Sequence, residues 1–156
     1  MNEKVYLFNP FNIKNWEKIQ IKEQLDELIN RYNNDASTPY EHALNIENLA
    51  NQMYLIGEMV ARLSETVNVM KAEVSNNENL QVYKQRDIWE KTHEGKAPAM
   101  SYFQALASDF VKEDRITLAK NESDLKRFRI AYDSIEAKMN AVKKKMEAVK
   151  YEEFGC

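Results

Sequence analysis

Lys84-Gln85-Arg86, with Trp89 three residues on and Lys91 and Lys96 beyond it, is the stretch of this sequence best equipped for chemistry. Two cations spaced i, i+2 can neutralise neighbouring phosphates, and an aromatic ring beside them can stack on an unpaired base. That is the chemistry of single-stranded nucleic-acid binding. Asp87, Glu90 and Glu94 lie among the cations and support the contrary reading, a solvated helix end with Trp89 in the core. Two further clusters, Lys126-Arg127 with Arg129 and Lys143-Lys144-Lys145, supply additional candidate basic surface, or else plain solvated faces.

No other grouping of residues forms a reaction centre. His42 and His93 have no metal-ligand spacing to each other or to Cys156, and His93-Glu94-Gly95 reads as a turn rather than a zinc-binding helix. There is no G-x-G-x-x-G, no phosphate-binding P-loop and no G-x-S-x-G. Glu113-Asp114 and Glu152-Glu153 are adjacent in sequence, so on a helix they face different ways and read as solvated charge. The expectation is a protein that is not an enzyme and carries neither metal nor cofactor. The one cysteine, Cys156, rules out an internal disulfide and suits a reducing compartment. The opening MNEKVYLFNPF lacks the basic start and small-residue cleavage site of a signal peptide, and no run of about 18 apolar residues is present.

The net charge of −3 argues against a uniformly basic nucleic-acid binder. It also conceals an asymmetry. Residues 1–66 carry a balance of −4, residues 67–156 a balance of +1, and residues 138–150 alone a balance of +4. A multimer that repeated the basic clusters around one surface could overcome the overall negative charge.

The elements that must position these residues are helices. With 3 Gly and 3 Pro in 156 residues, the chain lacks the breakers that sandwiches and nucleotide-binding α/β folds need. Residues 1–17 read as an irregular arm with an apolar run from Val5 to Phe8. A first helix is expected over Ile13 to Asn33 with Trp16, Ile19, Leu25, Leu28 and Ile29 buried. Thr38-Pro39-Tyr40-Glu41 is a capping box with proline at the first helical position, so a long helix starts there. Its apolar residues Ile46, Leu49, Met53, Ile56, Val60, Leu63, Val67, Met70 and Val74 alternate steps of three and four, a heptad seam. Ala43, Ala50, Gly57 and Ser64 recur every seven residues beside it and admit close helix approach. Asn76 to Asn79 offers a bend, or the helix continues to about Thr92.

His93 to Pro98 is the clearest turn, and a short helix from Pro98 to Phe110 is expected to bury Phe103, Leu106 and Phe110. After a polar stretch, a last helix carries a second seam, Leu125, Phe128, Tyr132, Ile135, Met139, Val142, Met146 and Val149. Two matched seams joined near Gly95 describe an antiparallel hairpin, or two faces that each meet a copy in another subunit. The expected architecture is therefore all-α: residues 1–37 as arm and first helix, residues 38–156 as a helical hairpin with a C-terminal assembly helix, one domain overall.

Three segments resemble the phage recombination mediators of the UvsY type. Tyr40-Glu41-His42-Ala43 is similar to the Y-E-A-A opening of that family's long helix. Lys84-Gln85-Arg86-Asp87-Ile88-Trp89 is similar to its K-A-R-L-D-Y, again followed by a glycine-containing turn. Met139-Asn140-Ala141-Val142-Lys143 with Ala148-Val149-Lys150 is similar to its L-D-A-I-K and A-I-K. The likeness runs in order from about Tyr40 to Lys150; residues 1–37 have no counterpart.

The resemblance implies a non-catalytic protein of the phage-infected bacterial cytoplasm. Such a protein binds single-stranded DNA and helps load a RecA-like recombinase onto strands coated by single-strand-binding protein. It implies a DNA-binding role for Lys84 and Arg86, and a homo-oligomeric ring, a heptamer on the family pattern, assembled through the C-terminal helix. The seam from Leu125 to Val149 suits that assembly role. Two other classes fit the same elements. One is a phage inhibitor or adaptor acting by protein contact, against a nuclease or CRISPR system, with its acidic first half imitating nucleic acid and Tyr6, Phe8 and Phe11 docking on the target. The other is a structural coiled-coil protein of the virion.

Overall fold

The structure, a computed structural model, describes residues 13–155; the arm residues Tyr6, Phe8 and Phe11, and Cys156, lie outside them. A 3-10 turn, Ile13–Asn15, precedes four helices: α1 Lys18–Arg31, α2 Pro39–Thr92, α3 Met100–Phe110 and α4 Lys112–Phe154. Of the described residues 87% are helical and none is in a strand. The fold is all-α, and its frame is a long hairpin of α2 against α4.

α2 starts where the capping box places it. The Glu41 backbone N–H donates to Thr38 Oγ1 at 3.2 Å, while the Glu41 carboxylate accepts from the N–H groups of Ser37 at 2.9 Å and Thr38 at 3.0 Å. These bonds, the Ser37 one foremost, favour the ionised carboxylate and pull Glu41 from its ordinary 4.5 to about 2. The helix then runs unbroken through Asn76 to Asn79. Asparagine weakens a helix without clashing as proline would, and the seam on either side holds those turns in place.

Every seam residue of both helices is buried or half-buried. The seams meet within one chain, in antiparallel order: Gly57 comes against Tyr132, Lys71 against Glu122, and Glu78 against Arg115. Gly57 belongs to the small-residue row, and a Cβ there would stand 3.6 Å from Cε2 of Tyr132. At Gly57 an aromatic of α4 thus lies against the α2 backbone, whereas Ala43 and Ala50 of the same row are exposed.

Two compact units divide the hairpin. The first comprises residues 13–61 and 126–155. Here α1 packs on α2 through Ile13, Ile21, Leu28 and Leu55, with Trp16, Leu25 and Met59 beside them. Side-chain amides secure the α1–α2 connection. Asn45 Oδ1 accepts from the Asn33 N–H at 3.0 Å, Asn45 Nδ2 donates to the Asn33 carbonyl at 2.7 Å, and Asn48 Nδ2 donates to the Leu28 carbonyl at 2.8 Å. The α1 stripe differs from the expected one. Ile19 and Ile29 are 60% and 51% exposed, and Ile21 takes the buried place. Ile21, Leu25 and Leu28 are spaced four and three, one stripe, whereas Ile29 sits about 100° round from Leu28.

The second unit is residues 62–125. Its core is Leu63, Val67, Val74, Phe103, Ala107, Val111 and Leu125. In α3 the buried face is Phe103, Ala107, Val111, spaced by four, rather than Phe103, Leu106, Phe110. Leu106 and Phe110 are 37% and 65% exposed, and the small Ala107 at 0% marks the close approach. The polar stretch after α3 is also helical: α4 begins at Lys112, one residue past a break at Val111 (φ −93°, ψ 11°). Ion pairs replace apolar packing along it, Lys71 to Glu122 at 2.7 Å and Arg115 to Glu78 at 2.5 Å, with Arg115 also donating to Ser108 Oγ at 2.6 Å.

Candidate nucleic-acid interface

The stretch from Lys84 to Lys96 forms the last turns of α2 and the turn after it, all within the second unit. Helix geometry fixes what each residue can do. Trp89 extends the buried side that runs through Val74, Glu78, Val82 and Gln85, and so is half-buried, while Lys84, Arg86, Lys91 and Lys96 are exposed. His93, four residues on from Trp89, stacks on it with ring centroids 5.0 Å apart and planes 1° from parallel. Trp89 thus stands between the two sequence readings: part of the indole is covered by the chain, and His93 lies parallel over part of its face. His93 Nδ1 lies 2.8 Å from Thr92 Oγ1 and 3.3 Å from the Trp89 carbonyl, which holds the imidazole in that plane.

Beyond Thr92 the chain turns through Gly95, whose φ of 109° a side chain would disfavour. The cations divide into two kinds. Arg86 pairs with Glu90 at 2.8 Å and Lys91 with Asp87 at 2.6 Å, both i, i+4 on the exposed helix surface. Lys84 and Lys96 have no ion pair or hydrogen bond with the described residues. Exposed pairs of this kind are worth about 0.3–0.5 kcal/mol, so a phosphate can displace the carboxylates at small cost.

The two further candidate clusters lie in the first unit. Lys126, Arg127 and Arg129 are exposed, with Arg127 and Arg129 already engaged with other residues of the chain. Lys143, Lys144 and Lys145 are exposed but point in three directions, because consecutive helical residues are about 100° apart. They form no single basic face. The α4 seam proposed for assembly, Leu125, Phe128, Tyr132, Ile135, Met139, Val142, Met146 and Val149, is the face turned toward α2.

Several polar contacts were not read from the sequence. Lys138 Nζ sits 3.9 Å from the centre of the Tyr32 ring, a cation–π contact across 106 residues of chain. Arg115 joins Glu78 and Ser108. For Glu78 a signal existed: it stands four residues after Val74, at the next seam position, and a charge on a seam requires a partner. Among the described residues no group of His, Cys, Asp and Glu could hold a metal ion, and no helix is long and apolar enough to cross a membrane. Compared with protein-family models, curated proteins and solved structures, the chain matches none.

Proposed function

We propose that this chain is a non-catalytic mediator of DNA recombination, of the UvsY type, that binds single-stranded DNA and promotes loading of a RecA-like recombinase. The observation that supports this most is the end of α2. Four exposed cations, Lys84, Arg86, Lys91 and Lys96, lie on the same stretch as a half-buried Trp89 stacked on His93, with Arg86 nearest to Trp89 around the helix and Lys84 and Lys91 farther round. Lys84 and Lys96 meet phosphates directly, and Arg86 and Lys91 exchange their carboxylates for them. The aromatic pair offers a face to an unstacked base, worth about 1–3 kcal/mol per base. The protein holds the strand extended, displaces single-strand-binding protein locally, and lowers the barrier to recombinase nucleation.

Contacts with recombinase and single-strand-binding protein use helical surfaces, and a homo-oligomeric ring in the host cytoplasm repeats the weak DNA contacts. Fluorescence anisotropy with a labelled oligo-dT tests the reading. Sub-micromolar binding at low salt weakens as salt rises, and Lys84→Ala with Arg86→Ala lowers both the affinity and the salt slope. Absence of binding at low salt defeats the DNA role. Multi-angle light scattering distinguishes a closed ring from a monomer or dimer.

A second reading has its own support. Tyr102, Leu106 and Phe110 are spaced by four along α3 and are exposed by 50%, 37% and 65%. An apolar stripe of that kind suits an adaptor or inhibitor that works by protein contact. Capture of a nuclease rather than a recombinase, lost in Tyr102→Ser with Phe110→Ser, favours it.

A further inference from the structure

His42 is 93% buried, and its imidazole has no hydrogen-bond partner among the described residues. A buried imidazole without a partner is costly unless something else satisfies it. No wholly enclosed side-chain nitrogen or oxygen lacks a partner among these residues, so the ring keeps a small opening. That opening is a recess of about 290 Å³ in the first unit, lined by the α1–α2 connection and by α4. Its wall combines Tyr32, Asn34, His42, Val142, Lys145 and Val149.

The chemistry of the lining is one-sided. Among the described residues, Lys145 is its only cation and no carboxylate lines it. Lys138 lies close by, over the Tyr32 ring. The acids next to lining residues along the chain, Asp35, Glu41 and Glu147, do not themselves line the recess, and Glu41 is already bonded to Ser37 and Thr38. Asn45 is committed to Asn33 and Ser37 Oγ to Glu41, while the side chains of His42, Asn34 and Lys145 have no hydrogen-bond partner among the described residues. His42 and Asn34 stand on the α1–α2 side of the recess and Lys145 on the α4 side, three donors with the lysine charge among them. On α4, Val142 and Val149 flank Lys145 along the same face and supply apolar lining. The volume lies near the lower end for small-molecule sites, roughly 300 Å³.

We propose that this recess binds a phosphomonoester with a small organic body, of the size of a nucleoside monophosphate. The phosphate is held by Lys145, His42 and Asn34, and the organic part lies against Tyr32 and the two valines. Charge-assisted bonds from lysine and imidazole to phosphate oxygens supply the selectivity for an anion. The site is independent of the α2 end, because none of its residues belongs to the Lys84–Lys96 stretch.

The test is a titration of the full chain with thymidine 5′-monophosphate, inorganic phosphate and thymidine, followed through the His42 imidazole signals by NMR. Thymidine 5′-monophosphate is expected to shift those signals saturably, inorganic phosphate to shift them more weakly, and thymidine to leave them unmoved. Lys145→Ala, an exposed position that leaves the fold intact, weakens binding about tenfold or more. His42→Gln retains the fold by circular dichroism and loses the site. Unmoved His42 signals at ~10 mM thymidine 5′-monophosphate, far above the sub-millimolar to millimolar dissociation constant a small polar site has, overturn the proposal. So does equal binding by Lys145→Ala. Lys84→Ala with Arg86→Ala leaves this titration unchanged, so a failed phosphate site and a failed DNA surface give different results.

Discussion

The two units share one hairpin and differ in what lies beside its seam. In the first, α1 covers α2, and the space between them is closed by Ile21, Leu28 and Leu55 with buried amides from Asn45 and Gln52. In the second, α3 covers less, and the hairpin is completed by ion pairs at partly exposed positions, Lys71 with Glu122 and Arg115 with Glu78. Buried amides allow one arrangement, since any other leaves a donor or acceptor dry. Surface ion pairs tolerate rearrangement at a cost below about 1 kcal/mol. The first unit is therefore built for a fixed geometry and the second for an adaptable surface, and the second carries the cations, the stacked rings and the apolar α3 stripe.

Core truncation gives the largest expected effect and probes each unit separately. Phe103→Ala, at 1% exposure, should cost about 3–5 kcal/mol, and Leu55→Ala, at 0%, about 2–5 kcal/mol. Hydrogen exchange followed by mass spectrometry should place the loosened amides in residues 62–125 for the former and in residues 13–61 and 126–155 for the latter. Uniform loosening in both variants would break the contrast between the units.

Asn45→Ala is the next largest. It removes both hydrogen bonds to the Asn33 backbone, at about 0.5–1.5 kcal/mol each, so a loss of about 1–3 kcal/mol is expected in urea denaturation. Arg115→Ala, in the second unit, should cost under about 1 kcal/mol, because its side chain is 45% exposed and that of Glu78 is 27% exposed. Equal costs for the two would show that the amides and ion pairs are not different devices.

The smallest effect is acid sensitivity at the start of α2. Glu41 is depressed from 4.5 to about 2 in the folded chain, so its contribution to stability is complete above about 4.5 and is lost as pH falls toward 2. Glu41→Gln should show a shallower loss of stability across that window than the parent chain, measured by chemical denaturation at a series of pH values. An identical pH profile would mean the cap contributes nothing to folding.

Much of this frame was legible in the residues themselves. Both seams followed from steps of three and four, and the α2 start from Thr38, Pro39 and Glu41, because these are local patterns with a period or a fixed offset. Short helices were harder to read. In α1 and α3 several apolar residues compete for one stripe, and Ile21 over Ile19, or Ala107 over Leu106, is decided by how closely the neighbouring helix approaches. The helical run from Lys112 to Ser123 has no apolar period, since its partners are ion pairs 37 and 51 residues away. Of the candidate interface, the cations and Trp89 were visible as residue types, but the Trp89–His93 stack and the carboxylate partners of Arg86 and Lys91 depend on i, i+4 geometry. The His42 recess was not legible at all, because it joins residues 32–45 to residues 142–149.

Intrinsic fluorescence tests the central claim, that the end of α2 holds single-stranded DNA through Trp89 and the cations of the Lys84–Lys96 stretch. In a Trp16→Phe background, Trp89 is the one tryptophan left to report. Titration with oligo-dT at low salt is predicted to quench its emission saturably, with the midpoint rising steeply as salt increases and moving at least about tenfold in Lys84→Ala with Arg86→Ala. Emission that stays unchanged through the whole titration, or quenching insensitive to both salt and the double substitution, would contradict it.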